Sequence, residues 1–230
     1  MTQRIRVLLL GTLTFAGAVA ASPLYAQDGN KCDIPKSVVD NLQSKLASVV
    51  TQANGGIFNN LPTPGSPNRM WSAVVDRKGQ LCSVIVTGDA WPGSRAIAIA
   101  KAGTANDFSN DVLALSTANL YPLIQPGGSL YGLNNSNPFN PEFLDQDKNA
   151  LGKVAGGIIT FGGGVALYSN GKVIGGLGLS GDTACADHVI AYRMRTAAGL
   201  NETPVAGQDN ISYAPGAHPH CLGAGIDVVP

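Results

Sequence analysis

Three histidines and four cysteines carry most of the chemistry this sequence offers. His188 lies in Asp182-Thr183-Ala184-Cys185-Ala186-Asp187-His188, at the head of a predicted helix. A neutral imidazole there could ligate a metal or a haem iron; the plainer reading is a helix histidine satisfied by Asp187 or by the C-terminal segment. His218-Pro219-His220-Cys221 has the look of a metal cluster. It lacks a clear third ligand if Cys221 is oxidised, so a structural turn is expected.

Cys32, Cys82, Cys185 and Cys221 are too far apart for a Cys-x-x-Cys zinc or redox motif. An even count suits two disulfides in an oxidising compartment. Of the three pairings, Cys32–Cys82 with Cys185–Cys221 is favoured, because each bond would tie a terminal segment to an internal element. Haem attachment through Cys-x-x-Cys-His is excluded, because the string does not occur.

Gly176-Leu177-Gly178-Leu179-Ser180-Gly181 matches G-x-G-x-x-G formally. The dinucleotide fingerprint requires a strand-helix-strand crossover. Here the strand is the second arm of a hairpin, so the glycines are expected to admit a close helix–sheet approach instead. Gly171-Lys172-Val173 lacks the Ser or Thr of a phosphate loop. No Gly-x-Ser-x-Gly elbow and no distinctive carboxylate pair appears. Arg95 and Lys101 share a predicted helix free of acids until its last turn, which offers cations to an anionic ligand.

The elements that must position these residues follow from periodicity. Val38, Val39, Leu42, Leu46, Val49 and Val50 recur at helical steps, predicting a helix over Pro35–Ala53. A Gly, Asn and Pro-rich loop covers 54–68. Strands are expected over 71–76 and 81–87, then a helix through Asp107 and another near 110–120. The segment 134–153 reads as a polar surface insertion. Strands follow over 157–161, 165–168 and 173–179, the last two joined by an Asn170-Gly171 type I′ turn. A final helix over 183–198, capped by Asp182 or Ser180, precedes a Pro, Gly and His-rich tail over 201–230. This order is not the alternation of a parallel sheet. It predicts a single α+β domain with one antiparallel sheet and helices packed on it.

The N-terminus, with Arg4 and Arg6, an apolar run from Val7 to Ala21 and small residues before Gln27, predicts a secretory signal peptide over 1–26. The cut is expected after Ala26, with Ala20 or Ala21 as alternatives. The run is shorter than the roughly 20 residues of a membrane span. A periplasmic or secreted location is therefore expected. The 15 basic residues include the two leader arginines, so processing would leave a slight excess of acid over base. With no basic block, nucleic-acid binding has no electrostatic support.

Several strings taken together resemble the GlcG/HbpS family of haem-binding proteins, which is also related to the C-terminal domain of some corrinoid adenosyltransferases. They are 73–79 (Ala-Val-Val-Asp-Arg-Lys-Gly), 98–105 (Ala-Ile-Ala-Lys-Ala-Gly-Thr-Ala), 125–133 (Gln-Pro-Gly-Gly-Ser-Leu-Tyr-Gly-Leu), 161–167 (Phe-Gly-Gly-Gly-Val-Ala-Leu), 175–178 and 180–183 (Ser-Gly-Asp-Thr). The resemblance covers roughly 38–200. It implies a sheet of about five antiparallel strands flanked by helices, a homo-oligomer, and haem or another small molecule as ligand. The extra cysteines look like those of an exported branch. Lys101, the matching family lysine, would meet a propionate, while Tyr131 and Phe161 would pack on a flat macrocycle. His188 is chosen as iron ligand on chemical grounds. The alternative function is binding of a hydroxy acid, alcohol or aldehyde, or an accessory enzyme of a catabolic pathway.

Overall fold

The computed structural model describes residues 32–52, 69–144 and 150–221. The expected leader (1–26), the loop over 54–68, residues 145–149 of the insertion and residues 222–230 of the tail lie outside them. The described elements are α1 (Lys36–Ser44), α2 (Leu46–Gln52), β1 (Met70–Asp76), β2 (Leu81–Thr87), α3 (Ser94–Asp107), α4 (Thr117–Leu120), β3 (Gly164–Ser169), β4 (Lys172–Ser180) and α5 (Ala184–Ala197). Three single 3₁₀ turns punctuate residues 122–143.

The sheet has four antiparallel strands in the order β2-β1-β4-β3. The predicted strand over 157–161 runs outside it, because Gly156 and Gly157 both take positive φ, +68° and +79°, and turn the chain at its start. The predicted first helix breaks at Lys45 into α1 and α2. The helix expected near 110–120 shortens to α4. Asn110 turns the chain there by accepting the Val112 and Leu113 amides, and Ser116 with Asn119 forms a capping box. Asn170 and Gly171 both take positive φ, +52° and +68°, as the type I′ turn between β3 and β4 requires.

Alternation along the strands divides the interior. Val74, Leu177, Leu179, Val165 and Leu167 face α1, α2 and α5, packing with Leu42, Leu46, Ile190 and Met194. Ala73 and Val75 face α3, packing with Ala98, Ile99 and Ala102. On that second face α3 lies almost on the backbone of β4. A Cβ on Gly178 would stand 2.0 Å from the Ala98 carbonyl oxygen, and one on Gly176 2.1 Å from that of Ala102. The glycine string thus seats α3, not the helix that follows it in sequence.

Both outer strands are partly covered. The Tyr168 amide donates to the Leu200 carbonyl (3.0 Å), and Asn201 bridges Tyr168 in parallel, closing part of the β3 edge. At the start of β2, Leu81 exchanges two main-chain bonds with Gly152 and Lys153. Beyond Cys82 no strand pairs with the outer side of β2 among the described residues.

Candidate functional site

The sequence-selected residues Lys101, Phe161 and His188 converge where β4 ends and β3 begins. Lys101 leaves α3 fully buried and passes Gly163 and Gly164, where a Cβ would stand 2.5 Å from the Lys101 Nζ and carbonyl oxygen respectively. Its ammonium donates to the Leu179 carbonyl (2.9 Å) and to Asp187 Oδ2 (2.7 Å), and stands 4.9 Å from the centroid of the Phe161 ring. Asp187 Oδ1 accepts the Asp182 amide (3.0 Å) and holds the turn that opens α5. The helix cap itself is Thr183, whose hydroxyl accepts the Ala186 amide. It replaces the expected Asp182 or Ser180, because the chain stays extended through Thr183.

Burial pushes the Asp187 carboxyl up to about 6 and the Lys101 ammonium down, while each opposes the other's shift by attraction. At neutral pH they form an ion pair. The propionate contact expected of Lys101 is not available in this arrangement, because its charge is already met by Asp187.

His188 follows Asp187 on α5 and has no exposed surface. Neither ring nitrogen has a hydrogen-bond partner of normal geometry, so the expected contact with Asp187 is not made. Asp187 is directed to Lys101, and the tail contributes only the approach of the Asp209 main chain, which weakly favours the cation. Burial, reinforced by Arg195, His218 and Lys101, drives the imidazole down to about 3, so it is neutral. A buried polar group without a partner is costly, and its retention calls for an explanation.

The tail forms the outer wall of this region. Arg195 of α5 binds Asp209 through both Nη atoms, with the Ala166 carbonyl (2.9 Å) as a further acceptor. His218 Nε2 accepts the Gly162 amide (3.2 Å), and its Nδ1 lies 2.8 Å from the Pro219 carbonyl; these roles define an Nδ1–H tautomer. The His-Pro-His-Cys string is therefore a structural turn. Cys185–Cys221 and Cys32–Cys82 are both formed, as the sequence favoured. Tyr131 stands 69% exposed on the 125–133 loop, apart from this cluster's hydrogen bonds.

Sequence reasoning named Asp187 only as a partner for His188 and missed Arg195 and Asp209 as site-shaping residues. Arg195 stands seven positions beyond His188 on α5, a spacing that by itself does not separate a buried ion from a solvated one. An open cleft of about 500 Å³ lies at the opposite end of the sheet, lined by Arg77, Asn110, Asp111, Val112, Lys172 and Val173. Arg77 donates there to the carbonyls of Asn106 and Ser109, and Lys172 pairs with Asp111 (2.8 Å). Among the described residues, Cys32, Asp76 and Cys82 are the one close grouping of metal-type ligands, but the two sulfurs are joined and Asp76 accepts three amides.

The elements form an α+β architecture in which one antiparallel sheet separates α3 from α1, α2 and α5. Residues 66–195 match the profile of the haem-degrading HbpS-like proteins, and the chain belongs to that family. An uncharacterised 15.0 kDa protein from the dhaT–dhaS intergenic region of Citrobacter freundii is 34% identical over 119 residues, which are 52% of this chain and 68% of the relative. The corrinoid adenosyltransferase PduO of Salmonella typhimurium is 36% identical over 121 residues, 52% of this chain but only 29% of PduO. In structure, the Klebsiella pneumoniae protein ORFY has a TM-score of 0.53 at 24% identity, covering 72% of this chain and 90% of its own. The PduOC:haem complex has a TM-score of 0.54 at 24% identity, covering 74% and 98%. No helix among the described residues is long and apolar enough to cross a membrane.

Proposed function

We propose that this protein binds haem between the first turns of α5, which carry His188, and the segment before β3, which carries Phe161, with His188 as the iron donor. The observation that carries the reading is the buried imidazole of His188, neutral and with neither ring nitrogen in a hydrogen bond of normal geometry. Such a nitrogen fits an axial ligand. Haem when bound supplies a redox-active iron and a broad apolar ring. Phe161, whose ring lies against the Lys101 ammonium and which precedes Gly162 at His188, is the proposed aromatic contact, and the exposed Tyr131 is the proposed outer contact. Lys101, already paired, fixes Asp187 and so orients the first turn of α5. The family match and the haem complex of PduOC support the same ligand. Storage, sensing and breakdown are three uses of that single binding step. Two disulfides suit work outside the cytoplasm, in keeping with export to the periplasm or beyond; a homo-oligomer is the proposed working form.

The test is a haem titration with His188→Ala alongside. A saturable Soret shift, altered in the variant, is expected. A shift identical in both proteins would retain haem and discard His188; no saturable shift at micromolar protein would reject the reading. The second reading, a small hydroxy acid, alcohol or aldehyde as ligand, is favoured by the cleft at Arg77 and Lys172. Binding of glycolate that is lost in Arg77→Ala would establish it.

A further inference from the structure

We propose that residues 200–221 are a strap closed over His188, and that Cys185–Cys221 is the redox-sensitive latch holding it shut. The inference rests on the reading of His188 as a ligand donor. The family profile ends at Arg195, and all of this strap lies beyond it. The strap contributes no helix and no ladder of its own, only turns and one bridge at Asn201. Yet it is pinned along its length. Gln208 accepts the Ala114 amide, Asn210 accepts from Asn119, Asp209 meets Arg195, and His218 takes the Gly162 amide. Asp209 and His218 are the strap residues that bear on the His188 imidazole. Gly162 lies on the same side, where a Cβ would stand 3.1 Å from that of His188. The His188 imidazole, which the strap approaches only through the Asp209 main chain, is thus covered by a segment fastened at its far end by one covalent bond.

The latch is built to open at one sulfur. Cys185 is fully buried, while Cys221 is partly exposed, so Cys221 Sγ is the atom an incoming thiolate reaches. Cys185 is the second residue of the 14-residue helix α5, and its amide donates to Sγ of Cys221 (3.2 Å), the sulfur that is attacked. A thiolate leaving on Cys185 stands at the helix N-terminus, whose field offsets part of the cost of its burial. The reductant is a dithiol. Its first thiolate bonds to Cys221 Sγ as the Cys185–Cys221 bond breaks, and the electron pair leaves on Cys185. Its second thiolate closes on the mixed disulfide, releases Cys221, and leaves the dithiol oxidised to a cyclic disulfide. The protons from the dithiol end on the two cysteines. Cys32–Cys82 joins the segment before α1 to β2, so neither of its sulfurs gains this stabilisation.

The experiment follows carbethoxylation of His188 by diethyl pyrocarbonate, read by peptide mass, in the intact two-disulfide protein. It is repeated after limited dithiothreitol and in the Cys185→Ser/Cys221→Ser variant, both with Cys32–Cys82 intact. Opening should raise the His188 rate about tenfold or more while amides of β1 and β4 stay protected from exchange. An unchanged rate in both open forms would overturn the latch. So would loss of sheet protection in both, since the bond would then be a structural staple. Haem ligation through His188 that is equally tight in the closed form would also reject the gate while leaving the haem reading intact. A His188 that opens yet never ligates haem would uphold the latch and reject haem.

Discussion

Lys101 and Asp187 meet at 2.7 Å although they belong to helices on opposite faces of the sheet. Lys101 reaches around the end of β4, where Gly163 and Gly164 leave it room, and ties α3 to α5 with an ion pair almost fully removed from solvent. Attraction in such a setting is offset by desolvation of both charges, so the pair adds little net stability but is costly to break.

Lys101→Met should therefore lower unfolding stability by about 3–5 kcal/mol, because Asp187 is left buried without its counter-charge and must either stay ionised or take up a proton. Lys101→Met combined with Asp187→Leu should recover most of that loss. Urea midpoints of the three variants and the parent at pH 7 check both expectations; a double variant weaker than the single one would contradict this account.

Two neighbouring glycines should behave oppositely. Gly178→Ala sets a Cβ against the Ala98 carbonyl oxygen and must push α3 off the sheet, a loss of about 3 kcal/mol or more. Gly103→Ala, on α3 with open space around its Cβ, should gain about 0.5–1 kcal/mol from helix propensity. Thermal melts of the pair are sufficient.

The haem-free protein should show an acid-sensitive contribution from His188. Its native value, about 3, lies below the 6.5 of an unfolded histidine, so between these limits the unfolded state binds the proton and the native state does not. Stability from this group is complete above pH 6.5 and falls as pH drops toward 3, by up to about 1.4 kcal/mol per unit. Asp187, raised to about 6, acts in the opposite sense, gaining the native state stability as pH falls through 6. The readout is accordingly the difference between parent and His188→Leu. The parent should lose stability relative to the variant between pH 6.5 and 4.5, and parallel curves would remove the claim.

Removing Cys32–Cys82 should destabilise the chain by about 4 kcal/mol on loop entropy, given its 50-residue separation, whereas removing Cys185–Cys221, which frees only the strap, should cost the sheet less. Calorimetry of Cys185→Ser/Cys221→Ser, compared with Cys32→Ser/Cys82→Ser, gives the share each bond contributes.

What could be read in the sequence was whatever repeats locally. The Asn170-Gly171 turn, the alternation of β1 and β4 and the helical period of α3 all surfaced as elements. The boundary errors have local causes of their own: Asn110 side-chain turns shortened the helix before α4, and Thr183 rather than Asp182 capped α5. The site was only half legible. Lys101, Phe161 and His188 could be chosen by type and by family resemblance, but their burial could not. Lys101 faces inward only because the glycines of β4, some 75 residues later, admit α3 so closely. Asp209 matters only because the chain returns to Arg195, a long-range pairing that no spacing announces.

The two margins of the sheet are unequal. The Tyr168 amide of β3 is already taken by the chain's own Leu200, whereas β2 beyond Cys82 offers its outer groups to nothing among the described residues. A sheet with one stoppered side can join another through the remaining side, but the joined pair then presents a stopper at each end. Propagation into a fibril by successive edge addition ends at two copies, so the returning chain at Leu200 also protects against polymerisation.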